Sequence, residues 1–528
     1  MSKQTKDFDW ELNSVTNEFD PGLRNQQHMK SLLNSTGPGM CLAKWTQVTM
    51  HLGNGTTHSC HHPAPHKIPL EEIKNNPSAL HNTKFKKEQR KQMLNGKRPN
   101  ECEFCWRVED SGEQSDRVYK SLDSFSFKHH DTIAKLVGDE DIFPTYVEVS
   151  FGNTCNFKCA YCGPAYSSQW QQEIKKDGPY LLPDMTFNEN NGEHSEAHIP
   201  QRDHNPYIEA FWEWFPEAYK HMHTFRITGG EPLLIKDTMK VIDFLIENPN
   251  PNLSFAINTN GCPPDGVWEE FTAKIKLLEE GKCIKDFVLF TSAEASGEKN
   301  DYVRYGMDYE LWKKNIEYFL ENTLYAGVTC MSAFNLLSIT SFKELLVWIL
   351  KLKNDYNWAG WDRWLLSKGL DRPPINSNAV IMNKRQSVKP ARVLIDIPYL
   401  RHPAFLDASI ASLPLVQDYL LPAIDFMYKN LSHGDWGGNV GFDDWEARKM
   451  RRTLVGIVDK AQEHCEDSDI TTNPVTRQNR TRFYNFITQY DKRRDTNFLA
   501  TFPEYAEFYE LCRQEHVILH NLKAQGKA

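Results

Sequence analysis

From residue 145 onward the chain alternates short apolar runs with longer amphipathic ones. TYVEVSF (145–151), HTFRIT (223–228), LSFAINT (253–259), DFVLFTS (286–292) and AGVTCMSAF (326–334) are rich in β-branched and aromatic residues and are short enough for strands. RWLLSKGL (363–370) reads as a sixth. Between them lie helical patterns at 235–247, at VWEEFTAKIKLLEEG and at DYELWKKNIEYFLEN. The last places Leu311, Trp312, Ile316, Phe319 and Leu320 on one stripe. The helix after the fifth strand opens with Ser341 and Glu344, spaced as a capping box. Six strand–helix units in series predict a parallel sheet with right-handed crossovers. In parallel α/β sheets, chemistry gathers at the C-terminal strand ends.

Upstream the pattern differs. Residues 1–35 are polar and read as a loosely held arm. In GMCLAKWTQVTMHLGNGTTHSC (39–60), Trp45, Val48, Met50 and Leu52 follow a strand-like run, and Gly53-Asn54-Gly55 offers the positive φ angles of a hairpin turn. Cys41 and Cys60 thus fall near the open ends of a predicted hairpin. Helix-compatible sequence follows to about residue 95, and NGKRPNECEFCWRVED then adds Cys102 and Cys105. The expected organisation is an arm (1–35), a cysteine-bearing domain (36–125), a barrel (141–370) with an aperiodic polar insertion at 176–205, a Pro-rich linker (371–395) and a helical region (396–528). The basic runs Arg448-Lys449, Arg451-Arg452 and Lys492-Arg493-Arg494 read as solvated helix faces, with an acidic-peptide or RNA patch as the alternative.

Composition narrows the class. At 528 residues the chain is too long for one ordinary core. A hydrophobic fraction of 40% with 25% charged residues is that of a globular chain. The net charge of −9 argues against a general nucleic-acid binder. No eighteen-residue apolar run spans a membrane, and the polar start MSKQTKDFDWEL lacks the core of a signal peptide. Twelve cysteines without an export signal point to a reducing cytoplasm and to metal rather than disulfides.

The densest chemistry is FGNTCNFKCAYCGPAY (151–166), where Cys155, Cys159 and Cys162 fall within eight residues. Thiolate is the ligand for zinc and for iron–sulfur clusters. Gaps of three and then two residues differ from the repeated C-x2-C pairs of most zinc sites. Three cysteines would leave one iron of a [4Fe–4S] cube open. Strand two runs into Thr228-Gly229-Gly230-Glu231-Pro232, where paired glycines admit close backbone approach and a carboxylate can receive an ammonium group. Strand three ends in Asn258-Thr259-Asn260-Gly261, strand four in Ser292 and Glu294, and strand five in Asn335. Cys41, Cys60, Cys102 and Cys105 make a full ligand set for one closed centre, either zinc or an iron–sulfur cluster, with His58, His61, His62 and His66 read as loop residues beside it. Cys283, Cys330, Cys465 and Cys512 read as structural.

The C-x3-C-x2-C loop, with Tyr161 before its last cysteine, resembles the signature of the radical SAM enzymes, and Gly229-Gly230-Glu231-Pro232 matches their GGEP motif. The resemblance implies a partial (β/α)6 TIM barrel of radical SAM type. It also implies a [4Fe–4S] cluster on Cys155, Cys159 and Cys162, with S-adenosylmethionine (SAM) on the open iron. Reductive cleavage would give a 5′-deoxyadenosyl radical that takes hydrogen from a substrate. An electron donor such as flavodoxin or ferredoxin would feed the cluster. By the same resemblance Tyr161, Gly229, Gly230, Glu231, Asn260, Ser292, Glu294 and Arg304 are cofactor-binding, Glu294 near the ribose and Arg304 facing the cofactor carboxylate. Cys262 is a candidate hydrogen donor to a substrate radical. The N-terminal cysteine segment resembles a twitch domain, the half-size relative of the SPASM domain that holds an auxiliary [4Fe–4S] cluster, although such domains ordinarily follow the barrel. The implied substrate is a peptide or protein side chain. RNA, a small molecule, or a metal-stabilised binding protein without turnover remain as alternatives.

Overall fold

The computed structural model describes residues 21–188, 198–368, 392–431, 441–466 and 474–524. The chain forms two compact units, one of residues 1–152 with 196–226 and one of residues 153–195 with 227–528.

In the first unit, Gln47–His51 pairs antiparallel with Thr56–His58, which pairs in turn with His66–Lys67. The turn between the first two needs Gly55, whose φ is +68° and whose Cβ would strike the Tyr207 ring at 2.1 Å. On its other edge Gln47–His51 lies parallel to Tyr146–Ser150, in register from Gln47 opposite Tyr146 to His51 opposite Ser150. Parallel pairing requires a long crossover, and here the helices Lys84–Leu94, Glu103–Asp110 and Asp116–Leu122 fall within it. The break expected between 125 and 141 is therefore crossed by a strand ladder inside one unit. Tyr146–Ser150 is also the neighbour of Thr224–Thr228, whose first three residues belong to this unit.

The polar arm is shorter than expected. Pro21–Thr36 is a helix, because Met29, Leu32 and Leu33 recur at helical spacing and close onto Met40, Leu42, Trp45, Met93 and Trp106. Residues 1–20 lie outside the described residues. Trp45 sits in the short helix Ala43–Thr46 rather than in the strand, which begins two residues later.

In the second unit the end of Thr224–Thr228 neighbours Asn250–Thr259. Asn250–Thr259, Ile284–Thr291, Gly327–Met331 and Val393–Asp396 then run side by side and parallel. The helices Lys236–Glu247, Val267–Glu280, Tyr309–Asn322 and Phe342–Lys368 connect them. The α/β class, the strand–helix alternation and the helical C-terminal region are as expected. The sixth strand is not. Residues 363–368 continue the Phe342–Lys368 helix, and the strand is Val393–Asp396. A short apolar run such as RWLLSKGL fits either period, and periodicity alone cannot assign it. The barrel therefore extends past residue 370. The linker expected at 371–395 ends in a strand, its residues 371–391 lying outside the described residues.

What fixes Val393–Asp396 is polar. Arg392, buried beside it, donates to the carbonyls of Ala326 and Leu320 and to Thr323 Oγ1. Glu446 accepts from the Ile395 amide and pairs with the buried Lys353 at 2.9 Å. The turn before Phe342–Lys368 is capped by Asn335 and Ser338, not by Ser341 and Glu344. Ser341 Oγ instead accepts from the Ser296 amide.

Because Leu33 is fully buried, Leu33→Ala is expected to cost about 2–5 kcal/mol in denaturant unfolding. A loose arm would move stability by no more than about 0.5 kcal/mol.

Candidate active site

The cysteine loop lies in the second unit and owes its shape to hydrogen bonds more than to regular structure. Its only ladder is two residues long, with Cys159 opposite Arg304 and Lys158 opposite Tyr305. Side chains take several other backbone groups. Ser168 Oγ accepts from the Cys155 amide at 3.2 Å, Ser167 donates to the Phe157 carbonyl at 2.7 Å, and the Trp170 indole donates to the Cys159 carbonyl at 3.0 Å. The Ala160 amide reaches the Val303 carbonyl at 2.7 Å. Held by these bonds, the loop presents three half-buried free thiols, Cys155, Cys159 and Cys162.

The three thiols feel one another. Burial pushes Cys155 up to about 12, and a Cys159 thiolate raises it further. Cys162 is raised by burial and then by Cys159 and Cys155. Burial raises Cys159 too, with the guanidiniums of Arg304 and Arg494 opposing it. Three soft donors so placed are protonated unless a cationic centre replaces their protons. They suit a thiolate-bound cluster.

Glu231 ties this loop to the neighbouring strand end. Its amide donates to the Thr154 carbonyl at 2.7 Å. The residue before it must be glycine, because a Cβ on Gly230 would lie 2.4 Å from the Thr154 oxygen and 2.7 Å from the Asn153 carbonyl. The Glu231 carboxylate is fully buried and accepts from Thr259 Oγ1 at 2.7 Å, from the Asn260 amide at 2.6 Å and from the Leu233 amide at 3.0 Å. It is turned inward and engaged by these protein donors. Burial pushes it up to about 7 against those three donors.

Asn260 Nδ2 returns to the cysteine loop at Asn156 Oδ1, 2.6 Å away, and Asn156 Nδ2 donates to the Cys262 carbonyl at 2.8 Å. The Cys262 thiol is buried and directed at the Asp308 carbonyl, 3.6 Å away. Ser292 is half-buried one residue beyond its strand.

Tyr161, Glu294 and Arg304 converge. Arg304 Nε donates to Glu294 Oε2 at 2.8 Å, its second fork arm to Tyr161 Oη at 2.8 Å, and Tyr161 donates to Glu294 Oε1 at 2.8 Å. Arg304 NH1 lies 3.8 Å from Cys159 Sγ. The three side chains bind one another, and the charged pair is buried.

The first unit holds the second cysteine group. Cys41, Cys60, Cys102 and Cys105 line one small pocket, with Lys44 and Arg117 in its wall. Burial pushes Cys41 and Cys102 up to about 12 and Cys105 up to about 11, and neighbouring cysteines add to each. Lys44 pairs with Glu101, and Arg117 with Glu109 at 2.7 Å. His62 and Asp116 are also in the wall. Asp116 Oδ2 lies 2.7 Å from His62 Nε2 and 3.1 Å from His61 Nε2. His58 accepts a more structural duty, bonding through Nδ1 to the Cys60 carbonyl.

Sequence reasoning missed Glu173 and Arg494, both buried beside the cysteine loop. Arg494 lies in a basic run taken for a solvated face. The signal was its register, since Phe483, Ile487, Tyr490 and Arg494 recur at helical spacing and all are buried.

Among the described residues no helix is long and apolar enough to cross a membrane. Residues 149–348 match the family model of the Radical SAM superfamily. Over 131 residues, 25% of this chain, the sequence is 28% identical to the GTP 3′,8-cyclase of Nautilia profundicola. The match spans 31% of that curated relative's length. Among solved structures, Streptococcus suis SuiB is 13% identical, with 59% of this chain and 65% of that one covered and a TM-score of 0.28. SuiB bound to precursor peptide SuiA is 15% identical, with 67% and 72% covered and a TM-score of 0.27.

The folded chain holds the Glu231 proton up to about pH 7, while the unfolded chain releases it near pH 4.5. This group's contribution to stability therefore falls as pH rises through that window. Glu231→Gln is expected to remove a fall on the order of 3 kcal/mol. Denaturant unfolding of the metal-free chain at either end of the window measures it, and identical pH slopes in the two proteins would contradict the assignment.

Proposed function

Residues 149–348 belong to the radical SAM superfamily, and from that premise we propose that the chain is a radical SAM enzyme whose cluster ligands are Cys155, Cys159 and Cys162. The observation that carries this reading is the hydrogen-bonded loop presenting three thiols, held by the Gly230–Glu231 backbone packed against Thr154. When bound, a [4Fe–4S] cluster and SAM supply reductive cleavage to a 5′-deoxyadenosyl radical and hydrogen abstraction from a substrate.

The chain's own groups have separable duties. Gly229 and Gly230 keep the strand-end backbone free of side chains where the methionine end of SAM would lie. Glu231 acts indirectly, by fixing that backbone and the Asn260 turn. Arg304 brings positive charge to the Cys159 sulfur, and Glu294 and Tyr161 orient its fork. Ser292 and Asn260 complete the polar rim on the strand ends. Cys262 stands apart from this set, since its thiol is engaged by the Asp308 carbonyl.

In the first unit, four thiols around one cavity support an auxiliary centre of twitch type. Lys44 and Arg117 stand in its wall, each paired with a glutamate. A [4Fe–4S] cluster is the leading occupant, and structural zinc is the competing one. The substrate class we favour is a peptide or protein side chain. The net charge of −9 disfavours RNA.

Anaerobic reconstitution of the full chain is expected to incorporate about eight irons with matching sulfide, and reductant with SAM to release 5′-deoxyadenosine. Replacing Cys155, Cys159 and Cys162 together by alanine should remove about half the iron and all nucleoside release. About four irons with one zinc would assign zinc to the N-terminal cavity. A wild-type chain that binds only zinc, or an alanine variant that still releases 5′-deoxyadenosine, would overturn the enzyme.

A further inference from the structure

The helix Pro474–Arg494 ends against the cysteine loop, and Asp495, at φ +53°, turns the chain away. Arg494 is 4% exposed. One arm of its fork donates to the Lys158 carbonyl at 2.7 Å, and Nε donates to Glu173 at 3.3 Å. The guanidinium is stacked 3.8 Å from the Tyr490 ring centre and 4.6 Å from that of Trp170. Trp170 in turn donates to the Cys159 carbonyl. Arg494 and its stacking partner therefore hold consecutive carbonyls of the cysteine loop, while the Tyr305 hydroxyl donates to the Arg494 carbonyl at 3.3 Å.

Two features of this arrangement look unfinished in the protein alone. The other arm of the fork, NH2, is buried with no hydrogen-bond partner, a costly state for a guanidinium. Charge is also out of balance. Glu173 is shared between Arg494 and Lys158, whose Nζ lies 2.7 Å from it, so two cations face one carboxylate. By contrast Arg304 and Glu294 pair one to one. The excess positive charge lies against the backbone of the cysteine loop, at the Lys158 carbonyl next to Cys159.

We propose that Arg494 is a positioning residue of the cofactor centre: it locks the cysteine loop from the C-terminal helical region and places a free N–H and a surplus positive charge against that loop. The electrostatic half of this proposal rests on the reading of Cys155, Cys159 and Cys162 as cluster ligands; the clamp does not. The C-terminal region is then a working part of the centre. Its positive charge favours the reduced, more negative cluster and raises the reduction potential.

The test uses full-length Arg494→Gln and Arg494→Lys. Hydrogen exchange on the metal-free chains reads the clamp. The Ala160 and Cys162 amides should exchange about tenfold faster in Arg494→Gln, with the Asn250–Thr259 strand unchanged as the control for folding. On reconstituted protein, a redox titration follows the cluster whose electron paramagnetic resonance signal changes on adding SAM. Reduction should become about tenfold less favourable in Arg494→Gln, a 59 mV negative displacement, and less than about threefold in Arg494→Lys, which keeps the charge. Unchanged loop exchange in Arg494→Gln would overturn the clamp, including when that variant fails to retain iron. A wild-type potential in Arg494→Gln, or equal displacement in both variants, would overturn the electrostatic role. Should wild-type protein hold no SAM-responsive cluster, the ligand assignment fails, and exchange still judges the clamp.

Discussion

A single buried carboxylate organises the candidate site. Glu231 accepts from three donors, two of them from Thr259 and Asn260 at the end of the next strand. Its own amide holds the Thr154 carbonyl at the root of the cysteine loop. A buried carboxylate short of donors costs several kcal/mol, so each partner is held as firmly as the group itself. The loop has little ladder of its own, and without this knot three thiols on an irregular segment would have no common geometry. Positioning of reacting groups to a fraction of an ångström needs support of this kind. That Gly230 admits no Cβ belongs to the same constraint, since the two backbones touch.

The second theme is charge placed near sulfur. In the second unit Arg304 lies at the Cys159 sulfur, and Arg494 lies beneath the loop backbone. In the first, Lys44 and Arg117 stand in the wall of the four-cysteine cavity. Burial alone keeps thiols protonated, and a metal centre must displace those protons. A cation fixed beside a thiol lowers that barrier.

Much of this was legible along the chain. Five of the six strands were placed by period and residue type, because each is a short run rich in β-branched and aromatic residues, and most are followed by a 3.6-residue stripe. The cysteine spacing and the paired glycines were visible for the same reason, being contiguous. The sixth strand was not, since Val393–Asp396 is four residues whose hold comes from Arg392, Asn357 and Glu446, distant or polar groups that no local period records. The N-terminal hairpin was foreseen, but not that Gln47–His51 pairs with Tyr146–Ser150 almost a hundred residues later.

The sequence by itself determined the donor chemistry: which thiols, which glycines, and on which strand ends they fall. Local backbone preference and ligand type are properties of neighbours in the chain. Tertiary structure alone decided where the carboxylates point and which cations are buried. Glu231 turned inward to its strand neighbours, Glu294 closed on Arg304 and Tyr161, and Arg494 left a basic run to stack against Trp170. Charged side chains are placed by desolvation and by partners remote in sequence, and those costs exist only once the chain has folded around them.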